Sequence, residues 1–149
     1  MWTNVLLGLL IPWVILIYLY KKSPLLGILM YPLGVTIAFV ANDWGFLLFW
    51  EVEPIHKNPS LPAIPISVGY FPLITNLFAY VKEKKPIDTW KLILLFSILT
   101  TFIELLVLWS GKIHYYNGWN ILWTYFTYLA GFVVVNVYIK MLKKHHVPI

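Results

Sequence analysis

Residues 91–112 read KLILLFSILTTFIELLVLWSGK. From Leu92 to Trp109 this stretch holds a single charged side chain, Glu104, between the flanking Lys91 and Lys112. A hydrocarbon core about 30 Å thick takes roughly 20 predominantly apolar residues to cross as a helix, and lipid offers no hydrogen-bond partner to an open backbone. The segment therefore reads as a transmembrane helix. Four further runs have the same character: about Trp2 to Tyr20, Leu25 to Phe46, Pro62 to Val81 and Trp119 to Ile139. The expected fold is all-α, a single five-span integral membrane bundle over residues 1–149.

Composition leads to the same place. Of 149 residues, 60% are hydrophobic and 11% charged, with a mean hydropathy of +0.78. Soluble domains carry about 25% charged residues, and so few charges cannot clothe a water-facing globule of this size. Five spans leave only short connections, so no separate soluble domain fits. The first run is preceded by no Lys or Arg and followed by no small-residue cleavage pattern, which reads as a retained span.

Lysine placement sets the expected orientation. Lys21 and Lys22 follow span 1; Lys82, Lys84, Lys85 and Lys91 lie between spans 3 and 4; Lys140, Lys143 and Lys144 follow span 5. Five crossings place these on one side and leave only Lys57 and Lys112 on the other. The positive-inside bias makes the crowded side cytoplasmic, with the N-terminus outside and the C-terminus in the cytoplasm. Making the proline-rich third run re-entrant, with its Pro62, Pro65 and Pro72, would destroy that sorting. Pro12, Pro32 and Pro72 should each kink the span that carries them. Small residues four apart, Gly34 with Ala38 and Thr127 with Gly131, mark places where helices could approach closely.

Several function classes fall away. The chain has no Cys, which excludes disulfide frameworks, thiol nucleophiles and Cys-ligated metal. It has no Arg, and its lysines are already explained by topology, so nucleic acid is not an expected partner. No phosphate loop or nucleophile elbow is present, and no cofactor is expected. The expected partners are the lipid bilayer and, beyond it, another membrane protein or a second copy of the chain.

Glu104 is the residue most suggestive of chemistry. It lies six residues before Ser110, about 9 Å below the end of its span. A carboxylate there costs at least ~2.5 kcal/mol unless it is paired, hydrated or protonated. Ser97, Thr100, Thr101 and Glu104 recur every three or four residues and form one polar stripe that should face other helices. Asp43, beside Asn42 near the end of span 2, is either interfacial or inside the bundle near the depth of Glu104. Asn120, Thr124 and Thr127 make a second polar stripe on span 5. Asp43, Thr101, Glu104, Asn120 and Thr124 are the candidate lining of an outward-facing polar pocket for a small ligand or cation. Packing alone also accounts for such stripes, as it does for Asn76 and Asn136 deeper in their spans.

Outside the spans, Glu51, Glu53, His56 and His114 are residue types that hold divalent metals, although their spacing matches no metal signature and a solvated rim explains them equally. Three function classes follow. A non-enzymatic ligand-binding membrane protein leads; a membrane-embedded enzyme using Glu104 and Asp43 as acid and base, and a structural or assembly subunit, are the alternatives.

Asn42-Asp43 in span 2, Phe102-Ile103-Glu104 in span 4 and Tyr116-Asn117-Gly118-Trp119 before span 5 resemble a pattern in small uncharacterised multi-spanning proteins of spore-forming Firmicutes. The resemblance covers most of the chain through its layout of spans. It implies a bacterial cytoplasmic membrane and supplies no catalytic residue.

Overall fold

The computed structural model describes residues 1–46 and 48–149. Helix takes up 76% of the chain, and five helices are long and apolar enough to cross a membrane. They are α1 (Trp2–Lys22), α2 (Pro24–Gly45), α3 (Ser60–Lys84), α4 (Thr89–Trp109) and α5 (Ile121–Lys144). The third run is thus a continuous helix. The expectation of a purely helical chain is corrected by a small antiparallel sheet of β1 (Trp50–Val52) and β2 (Ile113–Tyr115), whose register pairs Trp50 with Tyr115, Glu51 with His114 and Val52 with Ile113. β1 belongs to the α2–α3 connection and β2 to the α4–α5 connection, so the sheet ties two loops together at one end of the bundle.

The prolines explain the irregular turns. Pro12 and Pro72 have no N–H to give the carbonyl four residues earlier, and in both helices the turn before the proline opens into a π-helical turn, Leu6–Leu10 in α1 and Ile66–Tyr70 in α3. The Val68 carbonyl, which Pro72 leaves without a helical donor, instead accepts from Trp13 Nε1 of α1 at 3.0 Å and Tyr31 Oη of α2 at 2.9 Å. An unpaired carbonyl in lipid costs several kcal/mol, so this replacement binds three helices at one point. The two π-helical turns cross backbone to backbone: a Cβ on Gly69 would stand 2.1 Å from the Gly8 carbonyl oxygen. Pro32 behaves differently, lying within a helix that remains α-helical throughout.

α3 is the centre of the bundle. Half of its apolar stretch is buried, against about a quarter in the others. It packs on all four other helices, whereas neither α1 nor α2 makes extensive contact with α4 or α5. Gly34 of α2 lies against Pro72 Cα of α3, a close helix approach of the kind that small residues permit. Toward the end carrying the lysine clusters the space between helices is filled by Leu26, Met30, Phe78, Leu92, Ile93, Phe132, Val135 and Ile139, all buried. There Phe78, Phe96 and Phe132 meet with ring centroids 5.2–5.5 Å apart. At the tip, Lys143 pairs with Glu83 at 2.8 Å and Lys82 donates to Asn136 Oδ1, joining α3 to α5. Asn76 bonds the Pro72 carbonyl of its own helix. Toward the sheet end the bundle is hollow.

Candidate functional site

The hollow is a cavity of about 580 Å³. Every span contributes to its wall: Asn4 and Gly8 from α1, Ile37 and Asn42 from α2, Tyr70 and Ile74 from α3, Glu104 and Val107 from α4, Tyr128 and Gly131 from α5. Trp50, Val52 and Ile113 of the sheet also line it. The walls are overwhelmingly apolar, which corrects the expectation of a polar pocket. The helical stripes contribute polar groups, but valine, isoleucine and aromatic side chains from the same helices contribute far more surface.

Among the described residues, Glu104 is the one carboxylate in that wall. Its Oε1 accepts from Tyr115 Oη at 2.5 Å and from Thr124 Oγ1 at 3.4 Å, and its Oε2 accepts from Tyr128 Oη. Thr124 is buried and in turn accepts from Trp119 Nε1 at 3.0 Å. The result is a chain of donors that ends on an acceptor, the hydrogen bonding an unpaired carboxylate needs in a dry site. Tyr115 reaches Glu104 because strand alternation in β2 turns His114 to one face and Tyr115 to the other. Burial, reinforced by the neighbouring Glu104 carboxylate, pushes the Tyr115 phenol well above its usual range, so it stays protonated and donating.

The structure brings together two of the five residues expected in the pocket, Glu104 and Thr124. Thr127 and Gly131 of the same stripe join them in the wall. Asp43 does not: it is exposed on α2, and its neighbour Asn42 is the one that turns inward, donating to Ser67 Oγ at 2.9 Å. Adjacent helix positions point about 100° apart, so only one of the two can face the cavity. Asn120 is the N-cap of α5, its side chain accepting from the Leu122 N–H at 3.0 Å and the Trp123 N–H at 3.4 Å. An Asn immediately before an apolar periodic run is the ordinary signal for that role. Thr101 donates to the Ser97 carbonyl of its own helix at 2.7 Å and stays out of the cavity wall.

Of the expected metal ligands, the sheet gathers Glu51, Glu53 and His114 at one end of the bundle but leaves them in separate pairings. Glu53 and His114 pair at 3.0 Å, while Glu51 accepts from Tyr116 Oη at 3.0 Å. His56 uses Nδ1 to accept from the Asn58 N–H within its own loop. Among the described residues no group of three or more metal-ligating side chains converges. Cross-strand neighbours have claimed each carboxylate first.

Tyr70, Tyr115 and Tyr128 were not singled out in the sequence. Tyr128 carried a signal, lying one helical turn after Thr124 on the same face. The Tyr70 hydroxyl is buried without a hydrogen-bond partner among the described residues.

No family model, curated protein or solved structure matches the chain. A reading of its function therefore rests on the cavity and on Glu104.

Proposed function

We propose that this chain is a multi-pass protein of a bacterial cytoplasmic membrane that holds a small, largely apolar molecule in the cavity at the sheet end, with the molecule's polar head at Glu104. The observation that carries this reading is the apolar cavity itself, whose volume of about 580 Å³ is lined by a single carboxylate with a prearranged set of donors. Ligand sites of roughly 300–1,000 Å³ are typically apolar with a few fixed polar groups, and intramembrane acids are costly enough to be functional by default. Binding is favoured over acid–base catalysis because Asp43 is exposed outside the cavity and leaves Glu104 without a second carboxylate.

The lysine distribution supports an external N-terminus and sheet end and a cytoplasmic C-terminus. The natural absence of Cys makes the orientation directly testable. A membrane-impermeant maleimide added to intact cells should label Lys57→Cys but not His145→Cys. The opposite pattern would reverse the orientation.

For binding, the measurement is thermal unfolding in a neutral detergent with single-chain amphiphiles of different head groups. A ligand that binds only the folded state raises Tm in a concentration-dependent way. At least one member of the series should do so, and if none does, the cavity is not a ligand site.

A further inference from the structure

Resting on the cavity reading, the geometry points to a ligand that carries an ammonium group on a narrow apolar body, the nitrogen seated against the Glu104 carboxylate. Three observations converge on that head group.

The first is charge. The ion pairs among the described residues are Glu53 with His114 and Glu83 with Lys143, and Glu104 belongs to neither. Lys112 lines the cavity at its sheet end but makes no ion pair with Glu104. A carboxylate in a low-dielectric site without a cation is the situation in which a cationic ligand gains most and an anionic one is excluded.

The second is hydrogen-bonding capacity. Glu104 Oε1 takes its close hydrogen bond from Tyr115 and Oε2 takes one from Tyr128, while the single Thr124 proton lies nearer Tyr115 Oη, at 2.9 Å, than Oε1, at 3.4 Å, so each carboxylate oxygen retains a lone-pair direction. An ammonium has three N–H donors, enough for both oxygens at once. A neutral hydroxyl has a single donor and brings no charge to set against the carboxylate.

The third is the aromatic surround. Tyr70, Phe71 and Tyr128 follow one another around Glu104, with Tyr70–Phe71 centroids 5.4 Å apart and Phe71–Tyr128 centroids 6.2 Å apart. Aromatic faces attract a cation and are neutral toward an alkyl chain. Below them Ile74, Phe132 and Val135 offer only apolar surface for the body of the molecule.

The experiment compares dodecylamine, dodecyltrimethylammonium, dodecan-1-ol, dodecanoate and lysophosphatidylethanolamine by ligand-induced shift in Tm. Dodecylamine should bind at least about tenfold more tightly than dodecan-1-ol, and dodecanoate should bind least. Dodecyltrimethylammonium, which keeps the charge but lacks N–H donors, should fall between the amine and the alcohol. Glu104→Gln, which preserves shape, should bring the amine down to the alcohol's affinity and leave the alcohol within about twofold. Lysophosphatidylethanolamine bound as tightly as dodecylamine would support the ammonium head and make a membrane lipid its source; weaker binding would support a free lipophilic amine. Equal binding of the alcohol and the amine, or amine binding indifferent to Glu104→Gln, would overturn the ammonium assignment and leave the cavity reading standing. Binding of none of the five would instead remove the cavity reading itself.

Discussion

Gly69→Ala is expected to destabilise the folded bundle by more than about 3 kcal/mol, beyond the usual range for overpacking. The added methyl would lie 2.1 Å from the Gly8 carbonyl oxygen and 2.7 Å from Leu9 Cα. Both are backbone atoms, so relief requires α1 to move away from α3 as a body. That movement would also pull Trp13 from the Val68 carbonyl and Asn4 from the Pro62 carbonyl, to which it donates at 2.9 Å. Gly8→Ala should cost less, because its nearest obstacle is Ile66 Cγ1 at 2.8 Å, and a side chain can rotate. Gly111→Ala is the control: Gly111 has φ +71° with nothing within 4 Å, so only the backbone penalty of about 1–2 kcal/mol applies. Reversible unfolding in mixed micelles measures all three. A Gly69→Ala variant no less stable than Gly111→Ala would show that the α1–α3 crossing is not a close backbone contact.

Gly131→Phe should have the opposite profile, leaving stability nearly unchanged while abolishing ligand-induced stabilisation. Gly131 faces the cavity, and a Cβ there meets nothing closer than Ile37 Cγ2 at 3.8 Å. The sequence pattern alone made this residue a site of close helix packing, like Gly34. The structure places it instead at a gap, where a glycine keeps space open. Replacing a mid-helix glycine recovers several tenths of a kcal/mol of helix propensity, which offsets the modest strain of fitting the ring. The ring would occupy the space next to Phe132, where the body of a ligand anchored at Glu104 must lie. Loss of at least about tenfold in apparent affinity is expected, on the scale of 1.4 kcal/mol per factor of ten. Undiminished binding by a well-folded Gly131→Phe chain would mean that the amphiphile sits elsewhere on the bundle.

The contrast between Gly69 and Gly131 shows where sequence reading stops. Both are single glycines in apolar helices, and the nearby Pro65 and Pro72 that set Gly69 apart do not by themselves say which helix it will meet. One sits where two prolines have opened the helical turns and brought the backbones together; the other sits where two helix pairs stand apart. The same holds for Asn42 and Asp43. Both are polar and near a helix end, yet the helix rotation fixed by packing on α3 turns Asn42 to Ser67 and leaves Asp43 outside. Asn120 and Thr124 read as one stripe, but the first is consumed in capping α5 and only the second reaches Glu104.

The number of helices long and apolar enough to cross a membrane, their approximate limits and the place of Glu104 within the fourth were all legible in the sequence itself. The reason is local: lipid denies every backbone group a partner, so any apolar run of sufficient length must satisfy its own hydrogen bonds as a helix. The sheet, the hollow sheet end of the bundle and the tyrosines around Glu104 were decided by tertiary structure alone. Tyr115 comes from a strand beyond the end of α4 and Tyr128 from the next helix, and no spacing rule connects them to Glu104. Which faces of apolar helices meet is settled by side-chain packing and the few available hydrogen bonds, because lipid solvates every apolar face about equally well.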